Sequence, residues 1–167
     1  LAELPDVLAD AQLRDDRAPE ILMQTQETAS FWATLLPAAP DKTPATWMLM
    51  GLAQQLALHV ELTFKHVFAC ARPVEYSPQV QPMIRTPGHG AYPMGHACEA
   101  TIIARMLAAL TRPQQPGPAW LALQAQLDAL ALRIGENRIV AGVHFAVDLK
   151  AGVALGYALA DYLLECC

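Results

Sequence analysis

The apolar positions along the chain recur at helical spacing, and alternating runs of β-branched residues are nearly absent. Alanine, leucine, glutamine and methionine fill these stretches, and all four have high helix propensity. The pattern therefore predicts an all-α protein, a single helical-bundle domain over residues 1–167. Bundles place their functional sites between facing helices, so we expect the site there.

Prolines and glycines divide the pattern into six predicted helices. Their ranges are 6–13, 19–36, 44–70, 95–110, 119–134 and 139–164. The segment 72–93, between the third and fourth helices, contains five prolines and reads as one irregular loop. Irregular loops of this length are uncommon in compact domains and are usually functional. We therefore expect this Pro-rich loop to lie over the site.

The amino-acid composition is unusually apolar. Hydrophobic residues make up 54% of the chain and charged residues only 16%, against about a quarter charged in average proteins. The best apolar stretch, 48–70, is interrupted by glutamine, histidine, glutamate and lysine, so a membrane-spanning helix is not expected. The composition instead predicts an apolar face that a second copy or a partner chain covers. The net charge of −5 argues against nucleic acid as a partner.

The first group of candidate site residues is Lys65 and Arg72, which Pro73 follows directly. Seven residues correspond to two helical turns, so the spacing predicts both cations on one face of the third helix. Two buried cations repel each other unless an anion lies between them. The pair indicates an anion-binding surface, although cations on a helix more often belong to a solvated face.

The second group is the loop-to-helix junction at 92–97, which reads Tyr-Pro-Met-Gly-His-Ala. Backbone N–H groups at the start of a helix favour an anion, and Gly95 lets that anion approach the main chain closely. His96 follows in the first turn, where it is placed for proton transfer. The competing interpretation is a histidine that merely caps a turn.

The third group is Arg138, His144 and Asp148. The spacing of four predicts that the histidine and the aspartate share a helical face. The carboxylate would then take the proton of one imidazole nitrogen and leave the other as a nucleophile or a metal ligand. Arg138 offers a planar fork that suits tetrahedral oxyanions. A structural His–Asp pair between helices would show the same spacing.

Taken in this order, the three groups resemble the signature of one superfamily. It joins type 2 phosphatidic acid phosphatases, bacterial class A acid phosphatases and vanadium-dependent haloperoxidases. The signature reads Lys-x6-Arg-Pro, then Pro-Ser-Gly-His, then Ser-Arg-x5-His-x3-Asp, and its counterparts here span 65–148. The resemblance implies an oxyanion, vanadate or phosphate, held by Lys65, Arg72, Gly95, His96, Arg138 and His144.

The resemblance also implies a role for each group. The three cations and the Gly95 N–H would neutralise the equatorial oxygens. His144 would ligate vanadium in a haloperoxidase or become the phosphorylated nucleophile in a phosphatase. His96 would hydrogen-bond the apical oxygen or protonate the leaving group, and Asp148 would support His144.

Two positions depart from the family pattern. Met94 and Asn137 stand where the family has serine. The first change removes one hydrogen bond to the oxyanion, worth roughly 1.5–3 kcal/mol with a charged partner. The Asn137 amide is still able to donate.

A second histidine decides between the two activities at this point. His89 lies seven residues before His96 and resembles the His-Pro-Ser-Tyr-Pro-Ser-Gly-His run of vanadium bromoperoxidases. We therefore expect a vanadate-dependent haloperoxidase that oxidises halide, bromide rather than chloride, with hydrogen peroxide. Lys65 would polarise the bound peroxide, His89 would line the site, and a small organic acceptor would be halogenated. The same resemblance favours a secreted or periplasmic protein.

Other functions stay open at this stage. An acid or lipid-phosphate phosphatase would use the same residues, with His144 as the nucleophile. A non-enzymatic helical subunit would keep a relic oxyanion pocket, which Met94 makes credible. A divalent metal site of His89, His96 and His144 is a weaker idea, because the three nearby cations would repel a metal ion.

Overall fold

The computed structural model describes residues 2–166, and helices make up most of this range. In chain order they are α1 (Leu4–Asp10), α2 (Arg14–Met23), α3 (Ala29–Trp32), α4 (Pro44–Phe68), α5 (Pro73–Tyr76), α6 (Gly95–Leu110), α7 (Pro118–Val140) and α8 (Ala146–Cys166), with 3-10 turns at Ala11–Leu13 and Pro78–Val80. No strand occurs within the described range. The prediction of an all-α helical bundle is confirmed.

Helix boundaries follow the local signals closely in the middle of the chain. α6 has its predicted bounds. α4 begins at Pro44, whose missing N–H is harmless in a first turn, and ends at Phe68 because Ala69 adopts a left-handed conformation with φ 46°. The predicted helix 19–36 is wrong, since α2 begins before Pro19 and a break separates it from α3.

The C-terminal boundary also differs from the prediction. α7 extends to Val140 rather than 134, and α8 begins at Ala146 rather than near 139. The turn between them contains Gly142, with φ 82°, a conformation that glycine adopts without a steric penalty. His144 therefore lies in the connection between the two helices, just before α8 begins.

α6 is the central helix, because it packs against α4, α7 and α8 and most of its residues are buried. Glycines on α8 allow a close approach. A Cβ atom at Gly152 would overlap the carbonyl oxygen of Met94, and one at Gly156 would lie 2.6 Å from Thr101 Cβ. The backbone of α8 therefore lies directly against the first turns of α6, which places both helix N-termini beside the site.

The outer face of α4 carries exposed apolar side chains, among them Met48, Leu52, Phe64, Val67 and Phe68. Met48 is 75% exposed and Val67 is 73% exposed. None of the described helices combines the length and hydropathy that crossing a bilayer requires. A second copy or a partner chain on this apolar face stays a prediction.

The close approach of α8 to α6 leads to a stability prediction. We expect Gly152→Ala to lower the free energy of unfolding by about 1–3 kcal/mol, because the new methyl group must displace main-chain atoms. Gly51→Ala is the matched control, since a Cβ at this exposed α4 position meets no atom within 4 Å. It should raise helix stability by about 0.5–1 kcal/mol. Urea unfolding of both variants tests this, and equal effects would contradict the packing described here.

Candidate functional site

Three cations predicted to hold an anion are all buried. Lys65 and Arg72 are each 1% exposed and Arg138 is 2% exposed. They come from the last turns of α4, from the segment that follows it and from the last turn of α7. Burying a cation is unfavourable unless its donors find acceptors. The partners of these three groups therefore define the site.

Arg72 does not share a helical face with Lys65, contrary to the prediction. α4 ends before Arg72, which instead precedes α5 as its N-cap residue. Its Nη1 donates to the Val143 carbonyl at 2.7 Å and lies 3.2 Å from His144 Nε2. Arg72 thus reaches the third motif because the chain turns, not because a helix continues.

The Pro-rich loop lies over these cations, as the sequence predicts, and its carbonyl groups hold them. Lys65 Nζ donates to the carbonyls of Ala91, at 3.2 Å, and Pro93, at 2.5 Å. Arg72 donates from Nε to the His89 carbonyl at 3.2 Å and from Nη2 to the Gly90 carbonyl at 3.3 Å. Neutral carbonyls satisfy the donors and leave the positive charge in place.

His144 and Asp148 form the predicted pair, with a different backbone arrangement. His144 precedes α8 and Asp148 lies in its first turn, where Oδ2 accepts from His144 Nδ1 at 3.1 Å and from the Phe145 N–H at 2.9 Å. Nδ1 therefore carries a proton, and the electron pair of Nε2 accepts a hydrogen bond from Arg72 Nη1 at 3.2 Å. Burial lowers the pKa of His144 to about 4 against the opposing hydrogen bond of Asp148, so the ring is neutral at neutral pH.

Arg138 has donors that the protein leaves unused. Its Nη2 donates to the Ile21 carbonyl and to Gln24 Oε1, both at 3.0 Å. Its Nε and Nη1 are buried and have no hydrogen-bond partner among residues 2–166. Burial lowers the pKa of Arg138 to about 10, which leaves it charged at neutral pH. Two buried nitrogens of a cation whose three N–H groups lack acceptors indicate that an anion belongs beside them.

His96 and His144 line the same cavity as Arg138. This cavity has a volume of about 530 Å³. His96 lies in the first turn of α6, as predicted, and its Nε2 is 3.1 Å from the Gln24 carbonyl. Burial, followed by the charge of Arg138, lowers the pKa of His96 to about 4. The arrangement brings a guanidinium and two neutral imidazoles to one space, enough to bind an oxyanion and transfer a proton.

His89 lies apart from that cavity. It lines a second space of about 810 Å³ together with Lys65 and His66, and Pro87 borders both cavities. His89 Nδ1 is 3.3 Å from Arg72 Nη2. The structure thus brings His89 to a cation of the site but not to the cavity of the other two histidines. Within the described range, no three His, Cys, Asp or Glu side chains cluster as metal ligands would.

The two positions that depart from the family pattern both point away from the cavity. Met94 is 0% exposed and packs in the core with Ala97 and Leu149. The Asn137 side chain is 0% exposed, and its amide donates to Gln24 Oε1 at 3.1 Å. Neither side chain replaces the serine hydroxyl that the family signature has at its position.

Sequence reasoning missed Arg14 of α2 and Gln24, the residue that caps the C-terminal end of this helix. Arg14 donates to the carbonyls of Val80, Gln81 and Val140, each at 2.9 Å, and so ties the Pro-rich loop to the end of α7. Gln24 is 1% exposed and contacts Arg138, His96 and Asn137. Both contacts join residues far apart in the chain, so no local spacing marks them.

Glu61 was missed as well, although its spacing of four from Lys65 is a readable signal. It is 3% exposed, and a Cβ atom at Gly95 would overlap its carboxylate, so a larger residue at position 95 would force the Glu61 side chain to move. Its Oε2 has no hydrogen-bond partner within the described part of the chain. Burial raises the pKa of Glu61 to about 7, Lys65 opposes this rise, and Glu99 adds to it.

The raised pKa of Glu61 predicts how stability changes with pH. In the unfolded chain this carboxyl ionises near its ordinary 4.5, and in the fold near 7. Between these values the folded state holds more protons, so Glu61 lowers stability as the pH rises. One pKa unit corresponds to about 1.4 kcal/mol. The free energy of unfolding of Glu61→Gln, relative to the wild type, should therefore grow by about 3 kcal/mol from pH 4.5 to 7.

Denaturant unfolding at several pH values measures this difference, with Glu165→Gln as the exposed control on α8. The control difference should stay flat. A flat difference for Glu61→Gln would show that the carboxyl is not held as described.

We compared the sequence and the structure of this chain with those of known proteins. The model of the PAP2 superfamily matches residues 44–166. The chain is 30% identical over 155 residues to a decaprenylphosphoryl-5-phosphoribose phosphatase of Mycolicibacterium smegmatis, covering 91% of this chain and 74% of that protein. The crystal structure of a transmembrane PAP2-type phosphatidylglycerolphosphate phosphatase from Bacillus subtilis superposes with a TM-score of 0.59. It is 17% identical and covers 97% of this chain and 75% of the other.

These comparisons contradict the expectation of a vanadate-dependent haloperoxidase. Both named proteins are phosphatases, which are hydrolases, and nothing supports hydrogen peroxide or a halide as a partner. The preference for bromide oxidation depended on His89, which lies outside the cavity of His96 and His144. The donor set fits a tetrahedral oxyanion of either kind, so it did not separate the two activities. Because the PAP2 superfamily model matches more than half of this chain, the chain belongs to the PAP2 superfamily.

Proposed function

We propose that the chain is a phosphatase that hydrolyses phosphate monoesters through a phosphohistidine at His144. The observation that carries the proposal is the buried Arg138 guanidinium, whose Nε and Nη1 lack partners in the described structure. Arg138 lines one cavity together with His96 and His144. Planar guanidinium donors match phosphoryl oxygens well.

The neighbouring groups complete the phosphoryl site. Arg72 Nη1 donates to His144 Nε2 at 3.2 Å, and it would pass this hydrogen bond to a phosphoryl oxygen when Nε2 attacks phosphorus. The first N–H groups of α6, from Gly95 onward, favour negative charge through the helix dipole. Lys65 adds its charge from behind the loop carbonyls that it binds. Vanadate shares the geometry of phosphate and is expected in the same cavity as an inhibitor.

The reaction then runs in two balanced steps. His144 Nε2 attacks phosphorus, the P–O bond to the alcohol breaks, and the leaving oxygen takes a proton from His96. Water next attacks the phosphohistidine, the P–N bond breaks, and His96 takes the proton from water as phosphate forms. The Asp148 carboxylate, at 3.1 Å from Nδ1, stabilises the positive charge that the His144 ring gains during attack.

His96 must be protonated before it acts as the acid. Burial and Arg138 keep it neutral in the structure. A phosphoryl dianion in the cavity opposes both effects, because a negative charge nearby favours the imidazolium form. Substrate binding would therefore raise the pKa of His96, so that the ring carries the proton that the leaving group needs.

For the substrate we propose a lipid-linked phosphate monoester. The sequence relative is named for a decaprenyl-linked sugar phosphate. This chain has an apolar hollow of about 280 Å³ between α4 and α8, lined by Phe64, Phe68, Tyr92, Pro93, Ala151 and Leu155. Pro93 belongs to the hollow and also accepts from Lys65, so an apolar chain bound there would lie close to the cations.

Removing the nucleophile tests the proposal directly. We expect His144→Ala to lower kcat for p-nitrophenyl phosphate and for a short-chain lipid phosphate by at least about a thousandfold. His59→Ala, an exposed histidine on α4, is the control and should keep wild-type activity. Wild-type protein that hydrolyses neither ester, or a His144→Ala variant that retains activity, would contradict the mechanism.

The role of His96 predicts a dependence on the leaving group. We expect His96→Ala to lower kcat/KM by about a hundredfold or more for an alkyl phosphate, which needs a protonated leaving oxygen. The loss should be much smaller for p-nitrophenyl phosphate, whose leaving group is stable as an anion. Phosphohistidine should then accumulate, because water attack lacks its base, and acid-labile phosphate on the protein measures it. Equal losses for both esters would contradict a proton-transfer role.

A further inference from the structure

Helix α2 reaches the site from outside the family match, which covers residues 44–166. We propose that Gln24, at the C-terminal end of α2, is a positioning residue that fixes both Arg138 and His96. The proposal rests on the phosphatase function above. It means that residues before 44 complete the site.

The contacts of Gln24 use every polar atom of its side chain. Oε1 accepts from Arg138 Nη2 at 3.0 Å and from Asn137 Nδ2 at 3.1 Å. Nε2 donates to Glu20 Oε1 at 3.2 Å. With 1% exposure, the amide is held in one orientation by three partners. A buried amide with this many partners is a rigid support for the groups that it contacts.

The Gln24 side-chain amide is uncharged, so it accepts from Arg138 without neutralising the guanidinium. Both acceptors of Nη2, the Ile21 carbonyl and Gln24 Oε1, are uncharged. They fix the guanidinium plane beside the cavity without neutralising its charge, and they leave Nε and Nη1 without partners in the described part of the chain. A carboxylate at position 24 would form an ion pair with Arg138 and compete with the phosphoryl group.

The Gln24 carbonyl matters for His96. A carbonyl only accepts, so His96 Nε2 must carry a proton in this contact of 3.1 Å. Nδ1 is then the nitrogen that exchanges a proton with the substrate and with water. Because this carbonyl lies at the C-terminal end of α2, where the helix dipole is negative, it favours the imidazolium form that the acid step requires.

The position of α2 is itself fixed by independent contacts. Arg14 binds three carbonyls of the loop and of α7. Glu20 pairs with Arg133 at 2.8 Å, and Arg17 donates to Asn137 Oδ1 at 3.2 Å. These contacts hold α2 against α7, so the geometry of Gln24 does not depend on its own bonds alone.

The test compares an isosteric charge change with removal of the amide. Gln24→Glu keeps the acceptor for Arg138 but replaces the donor to Glu20 with a second carboxylate. We expect it to weaken binding of inorganic phosphate and vanadate by at least about tenfold, because the new carboxylate takes charge-assisted hydrogen bonds of Arg138 from the bound anion. Gln24→Met removes the support of Arg138 and should raise KM for p-nitrophenyl phosphate by a similar factor. Gln26→Glu, which adds the same charge at an exposed position of the same region, should leave both quantities unchanged.

Calorimetric titration with phosphate measures affinity without turnover, and thermal unfolding monitors the fold. A purely structural role predicts that Gln24→Glu binds phosphate like the wild type at equal stability, and a change smaller than about tenfold would overturn the proposal. If Gln24→Glu fails to fold, the KM of Gln24→Met for p-nitrophenyl phosphate serves as the test. An increase smaller than about tenfold would then overturn the proposal. A wild-type protein that neither binds phosphate nor hydrolyses esters would overturn the phosphatase function itself.

The tautomer of His96 gives a readout that does not depend on activity. Long-range ¹H–¹⁵N correlation spectra of the wild type should show a proton on Nε2 and none on Nδ1 near neutral pH. The opposite tautomer would overturn the assignment of the Gln24 carbonyl as its partner.

Discussion

Burial of positive charge is the constraint on which the rest of the site depends. Lys65, Arg72 and Arg138 are all withdrawn from water, and each would destabilise the fold if its donors lacked acceptors. Most of the acceptors are backbone carbonyl groups. Those of the Pro-rich loop accept from Lys65 and Arg72, and a carbonyl of α2 accepts from Arg138. Carbonyls satisfy hydrogen bonds without cancelling charge, so the site stays positive and the loop is fixed over it.

Two glycines lie where the backbone approaches these buried charged groups. Gly142 makes the turn that brings Val143 and His144 to Arg72, and a Cβ there would lie 2.7 Å from Arg14 Nη2. Gly95 leaves room for the Glu61 carboxylate behind the start of α6. Gly142 is favoured by its positive φ of 82°, and a side chain at position 95 would force the Glu61 carboxylate to move.

Local signals predicted the parts of the molecule that local physics controls. Pro44 and Gly95 mark helix starts, so α4 and α6 lie where expected, and the three motifs identified the buried cations and both cavity histidines. Arg72 and His144 were placed on helices because spacing cannot reveal that Ala69 and Gly142 end the regular backbone first. Gln24 acts through contacts more than a hundred residues away in sequence. His89 misled the choice of activity because a histidine near a motif in sequence need not share its cavity.

The balance of buried charge finally argues for the type of anion. Lys65 and Arg72 interact with the carboxylate of Asp148 and with the Glu61 carboxyl, whose pKa lies near 7. When Glu61 holds its proton, less negative charge opposes these two cations, so they attract a bound anion more strongly. A phosphate monoester dianion interacts with them more strongly than a phosphodiester, which brings a single negative charge. Protonation of Glu61 near neutral pH therefore supports the proposed monoester substrate.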